Sequence, residues 1–110
     1  MPYFAPGEIE VYCYFRQHIG TRMEAAGLRV QFHYNVAPGI HFRVAPPEEY
    51  RSAIIMGIED GMAARFPEFP KTGSIWIVEI TEHDVDSSPR AFYRAARTVI
   101  DQAYSLSQSA

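Results

Sequence analysis

One cysteine in 110 residues, a single lysine and no long apolar run set the first limits on this chain. Cys13 has no partner for an internal disulfide, which excludes the small disulfide-stapled class. It sits in an apolar alternating run, where a thiol serves as a buried small hydrophobe rather than a reactive group. No stretch approaches the ~18 apolar residues that would cross a bilayer. The segment MPYFAPGEIE has neither the basic start nor the apolar run of a signal peptide, so a cytoplasmic protein is expected. A GxxxxGKS or GxxxxGKT phosphate loop is also lacking, which excludes nucleotide hydrolysis by that route. No linker, repeat or low-complexity tract divides the chain.

What is present describes one folded domain, 1–110, with a short irregular lead-in over 1–7 and a frayed tail over 106–110. Hydrophobic content of 47% and aromatic content of 14% supply one real core at this length. The net charge of −3 argues against bulk nucleic-acid affinity, but it is unevenly spread. Residues 11–46 hold Arg16, Arg22, Arg29 and Arg43 against Glu24 alone, whereas 47–86 are strongly acidic. Such asymmetry suits one basic face, and it also suits plain solubility.

Ile9, Val11, Cys13 and Phe15 alternate with Glu10, Tyr12, Tyr14 and Arg16, the pattern of a half-buried strand. Residues 17–27 read as a polar connection around Gly20 and Gly27, with a helical turn possible at Met23–Ala26. Alternation resumes from Leu28 to Val36. Pro38-Gly39 marks a turn, and Ile40, Phe42 and Val44 form a third short strand. The second and third strands are therefore expected to pair as a hairpin. Pro46, Pro47, Glu48 and Glu49 open a helix, with two carboxylates favoured by its dipole. Its interior glycines, Gly57 and Gly61, cost roughly 1 kcal/mol each against alanine, and close approach to the sheet would offset that. Pro67 and Pro70 end it.

Ile75 to Thr81 is apolar on both faces near its start, as a central strand should be. A second helix starts at Pro89, capped by Ser88, and runs to about Ser105 with Phe92, Ala95, Ala96, Val99, Ile100 and Ala103 as its stripe. The order β-β-β-α-β-α predicts an α+β fold: a two-layer α/β sandwich, a four-stranded sheet with two helices on one face. The other face would display Tyr12, Tyr14, Arg16, Arg29, Gln31, His33, His41 and Arg43.

Two segments carry a family resemblance. PPEEYRSAIIMGIEDGM, residues 46–62, is similar to an IPxEYxxAxxxGIxxxL helix start, matching at Pro47, Glu49, Tyr50, Ala53, Gly57 and Ile58, with Met62 for leucine. HDVDSSPRAFYRAA, residues 83–96, resembles a strand–loop–helix junction of the HDVDSS kind. Together they resemble domain IV of bacterial translation elongation factor G, here as a stand-alone domain. The resemblance implies a ribosomal protein S5 domain 2-like fold. The family's glycine-rich GGRGQYGH loop is not kept: FRQHIGTRMEAAGLRVQFHY retains only Gly20, Arg22 and Gly27.

The resemblance implies ribosomal or structured RNA as partner, a translation-related role, and no GTPase activity. His83 and Asp84 at the loop, with Arg90, Arg94 and Arg97 on one helical face, would form the contact edge. The bland alternatives are an exposed loop histidine, helix-start acids, and a solvated arginine stripe partly paired with Asp101. On the open sheet, Tyr12, Tyr14, Arg16, Arg29, His33, His41 and Arg43 suit either an RNA stacking platform or an interface with a second copy or protein partner. The competing function is accordingly an interaction or dimerisation module. No nucleophile with a base, no metal-ligand spacing and no cofactor motif is seen, so no enzyme, metal, cofactor, nucleotide or membrane is expected.

Overall fold

The computed structural model describes residues 9–20, 22–33, 39–64, 74–82 and 87–109, with only the backbone of Ile19, Arg22 and 107–109. Its elements are β1 (Ile9–Ile19), β2 (Arg22–His33), β3 (Gly39–Phe42), α1 (Glu48–Ala64), β4 (Ser74–Thr81) and α2 (Pro89–Ser109). The sequence expectations at 1–7, 34–38, Pro67, Pro70, His83 and Asp84 lie outside the described residues.

β1 and β2 form one long antiparallel hairpin, registered from Ile9↔Phe32 to Ile19↔Arg22. The expected polar connection over 17–27, with its helical turn, is therefore strand. Gly20 permits this: its φ of 65° supplies the left-handed residue that a two-residue hairpin turn requires. Ala25 and Ala26 are buried, and the Ser87 hydroxyl donates to the Ala25 carbonyl at 2.8 Å. Cross-strand pairing and cover from the start of α2 override the helical preference of those alanines.

The sheet order is β1-β2-β4-β3. β2 and β3 are thus not a hairpin, because β4 lies between them, antiparallel to β2 and parallel to β3. The reason is burial. Ile75 and Ile77 are almost wholly buried, and an edge position would leave one flank of their strand to water. A parallel β3–β4 pair needs a crossover, which α1 provides. His33 and His41 consequently do not face each other: they register on Ser74 and Trp76 respectively.

Val11, Cys13, Leu28, Val30, Phe32, Ile75 and Ile77 point to one side and join Ile54, Ile58, Phe92, Ala95, Val99 and Ile100 in a single core. Both helices therefore cover the same face. Pro47 starts α1, its carbonyl accepting from the Tyr50 and Arg51 amides. Ser88 caps α2: its Oγ accepts from the Ala91 amide at 3.1 Å, and Pro89 takes the first helical position. The backbone of α2 continues past Ser105 to Ser109.

Gly57 and Gly61 face α2, not the sheet as expected. A Cβ on Gly57 would lie 2.5 Å from the Tyr93 carbonyl oxygen and 2.8 Å from the Ala96 Cβ. The seam is fastened by the Tyr93 hydroxyl donating to Asp60 Oδ2 at 2.7 Å and by the Tyr50 and Phe92 rings, 4.6 Å apart. Among the described residues no helix is long and apolar enough to cross a membrane.

Candidate functional site

The face of the sheet away from the helices gathers every candidate expected there. Strand alternation places Tyr12, Tyr14 and Arg16 of β1, Arg29, Gln31 and His33 of β2, and His41 of β3 on that side, with Arg43 just beyond β3. The two halves of this face differ in chemistry.

On the β1–β2 half, Arg29 is neutralised by two carboxylates. Arg29 donates through Nε to Glu79 at 2.8 Å and through Nη1 to Glu10 at 3.1 Å, and its guanidinium lies 4.8 Å from the Tyr12 ring centre. Gln31 Nε2 donates to the other Glu10 oxygen at 2.9 Å, and its carbonyl oxygen lies 3.3 Å from His33 Nε2. The Gln31 and Arg29 hydrogen bonds hold the Glu10 carboxyl below its ordinary range. Gly27 lets Tyr14 and Thr81 approach the backbone closely here, since an added Cβ would meet Tyr14 Cδ1 at 3.2 Å and Thr81 Cβ at 2.7 Å.

On the β4–β3 half, Trp76 is the centre. His41 stacks on it, with ring centres 4.5 Å apart and planes 24° from parallel. The Arg43 guanidinium lies 4.5 Å from the indole centre and makes no ion pair among the described residues. The indole N–H donates to Ser74 Oγ at 3.0 Å, which fixes the ring. This half is aromatic and cationic together.

The arginine stripe of α2 divides. Arg90 is exposed. Arg94 donates to Gln17 Oε1 at 3.2 Å, tying α2 to β1. Arg97 donates through Nη1 to the Tyr93 hydroxyl at 3.3 Å, which holds its guanidinium on the charged side, while its buried Nε has no hydrogen-bond partner among the described residues. Arg94 and Arg97 border a shallow groove of about 330 Å³ with Phe15 and Asp101. The four residues 83–86, His83 and Asp84 included, are outside the described region.

No protein-family model matches this chain, and no curated protein matches it. Among solved structures, a crystal structure of a protein from Thermus thermophilus is similar to 88% of this chain, with a TM-score of 0.73 and 22% sequence identity. The fold is shared. This chain spans 16% of that protein's length, so the likeness concerns architecture. The shared architecture is the two-layer α/β sandwich described above.

Within this fold, sequence reasoning missed Trp76, Glu79 and Tyr93 as members of the two surfaces, and placed Glu10 on the outward face of β1 without its partners. Strand alternation in β4 was the available signal for Trp76, masked by the apolar run around it, whereas Glu79 shares that face only through the register shift opposite Arg29 and Val30, which alternation does not show. Among the described residues no three His, Cys, Asp or Glu side chains gather as a metal site. The Cys13 thiol is buried, and burial pushes its pKa up. What the exposed groups offer is stacking, cation–π and phosphate-type contacts.

Proposed function

We propose that this protein is a non-catalytic relative of elongation factor G domain IV that binds ribosomal or structured RNA in a translation-related role. The observation that carries the reading is the Trp76 platform. A fixed indole, a histidine stacked on it and an arginine in no ion pair among the described residues supply both parts of single-strand recognition, π-faces for bases and charge for phosphate. Arg90 and Arg94 on α2 add a second basic edge. The shared fold and the HDVDSS resemblance supply the translational context.

The test is co-sedimentation with ribosomes, combined with RNA titration of Trp76 fluorescence. Trp76 is the sole tryptophan, so its quenching reports this surface alone. Binding is expected to weaken with salt. Arg43→Glu is expected to abolish quenching, and the pair Arg90→Glu, Arg94→Glu to abolish co-sedimentation. Co-sedimentation unchanged by all three substitutions overturns the proposal, as does a wild-type protein that binds neither ribosomes nor RNA.

A further inference from the structure

β1 is an edge strand of eleven residues, paired with β2 on one side and, among the described residues, with no strand on the other. Long edges are usually blunted by lysine, proline, a bulge or a charge pointing inward. β1 carries none of these over 9–16, and its register with β2 is unbroken. The opposite edge, β3, is only four residues long. Exposed apolar side chains collect at the long edge. Of the four large ones exposed among the described residues, Tyr12 (45%), Tyr14 (37%) and Leu106 (49%) lie on β1 or beside it. Val11, Tyr12 and Leu106 border a groove of about 520 Å³ between β1 and α2.

The charges on β1 select the occupant. On the open face the strand carries one acid, Glu10, and one base, Arg16, placed symmetrically about Cys13. We infer that the protein forms a two-fold dimer in which β1 pairs antiparallel with β1 of a second copy, centred on Cys13. Glu10 then opposes Arg16 of the second copy, twice, and Tyr12 opposes Tyr14, twice. Both are favourable cross-strand pairs. Shifting by two residues loses the charge match, because Glu10 then meets Tyr14 or His18. A shift by one sets the core face against the open face. On the helix side Val11 opposes Phe15 of the second copy, which brings exposed Leu106 toward that ring. The backbone of both edges is satisfied by the added ladder. The Trp76 platform lies near the far edge of each sheet and stays open, so this pairing does not depend on RNA binding.

Sedimentation equilibrium over a concentration series tests it. The expected species has twice the 12.5 kDa of one chain. Arg16→Glu sets a carboxylate against Glu10 of the second copy and is expected to weaken the dimer at least tenfold. Glu10→Arg opposes Arg16 of the second copy and also loses the Arg29 and Gln31 hydrogen bonds within its own chain, and is expected to weaken the dimer at least as much. The double variant E10R/R16E is expected to restore it. Amide hydrogen exchange on the unaltered protein supplies a second reading, with β1 amides slowing as concentration rises. A monomer at every concentration overturns the inference. So does a dimer insensitive to Arg16→Glu whose formation instead shifts Trp76 fluorescence, since that places the second copy on the open sheet face. Slowed β1 exchange only when ribosomes are added also overturns it.

Discussion

Replacing Gly57 by alanine sets two well-known effects against each other, and the geometry decides between them. Alanine in a helix interior gains about 1 kcal/mol over glycine. Here the new Cβ would sit 2.5 Å from the Tyr93 carbonyl oxygen and 2.8 Å from the Ala96 Cβ. Ordinary contacts need about 3.3 Å for carbon to oxygen and 3.5 Å for carbon to carbon. Both obstructions are backbone or Cβ atoms of a packed helix, so no rotamer change relieves them. The helices must part by roughly 0.8 Å, and a gap of that size forfeits a quarter to a half of each dispersion contact along the seam. Overpacking of this kind costs about 1–3 kcal/mol, and a backbone obstruction belongs at the upper end.

The net expectation for Gly57→Ala is a loss of about 2 kcal/mol, or roughly 8 °C in Tm for a domain of this size. Gly61→Ala is the internal control. Its Cβ would lie 3.0 Å from the Ile100 Cβ, so the helices need part by only a few tenths of an ångström. Strain of about 1 kcal/mol then offsets the helix-propensity gain, leaving stability within about 0.5 kcal/mol of the parent. Urea denaturation followed by Trp76 fluorescence and circular dichroism measures both. A Gly57→Ala protein as stable as the parent would refute the close helix approach.

Removing the α2 cap by Ser88→Ala is expected to cost about 1 kcal/mol, while Ser88→Asp retains most of it; equal denaturation midpoints for all three proteins would refute the cap. Glu10 is held below its ordinary pKa by Gln31 first and Arg29 second. A lowered folded-state value means its contribution is present above the unfolded glutamate pKa, about 4.3, and is lost as pH falls through the folded value. An NMR titration is expected to place the Glu10 midpoint below that of a peptide glutamate, and Gln31→Ala to move it back up. A midpoint at or above the peptide value contradicts the Glu10–Gln31–Arg29 network.

Local signals made much of this fold legible. Alternation in β1, in β2 from Leu28 onward and in β3 set which residues face the core, because strand periodicity survives any choice of partner. Pro47, Ser88 and Pro89 marked helix starts, since capping chemistry is local to one turn. The apolar run of Ile75–Ile77 identified a central strand. The distal half of the β1–β2 hairpin was not legible. Met23–Ala26 carries side chains that favour a helix when alone, and only Gly20 hinted at the turn. The open-face candidates share one side of the sheet, but Trp76 was hidden in the apolar run, and the neutralisation of Arg29 by Glu10 and Glu79 joins residues on three strands.

Local pattern settles most element types, the inward faces and the two helix starts, the distal half of the β1–β2 hairpin excepted, because each depends on residues within a few positions of one another. Tertiary structure alone decided that β4 inserts between β2 and β3. It also decided that Gly57 meets α2 rather than the sheet, and that the open face divides into a half where Arg29 is neutralised and a cationic aromatic half. Those outcomes are set by contacts between residues tens of positions apart. Their energies depend on which strand lies next to which, a property that no local window of the chain contains.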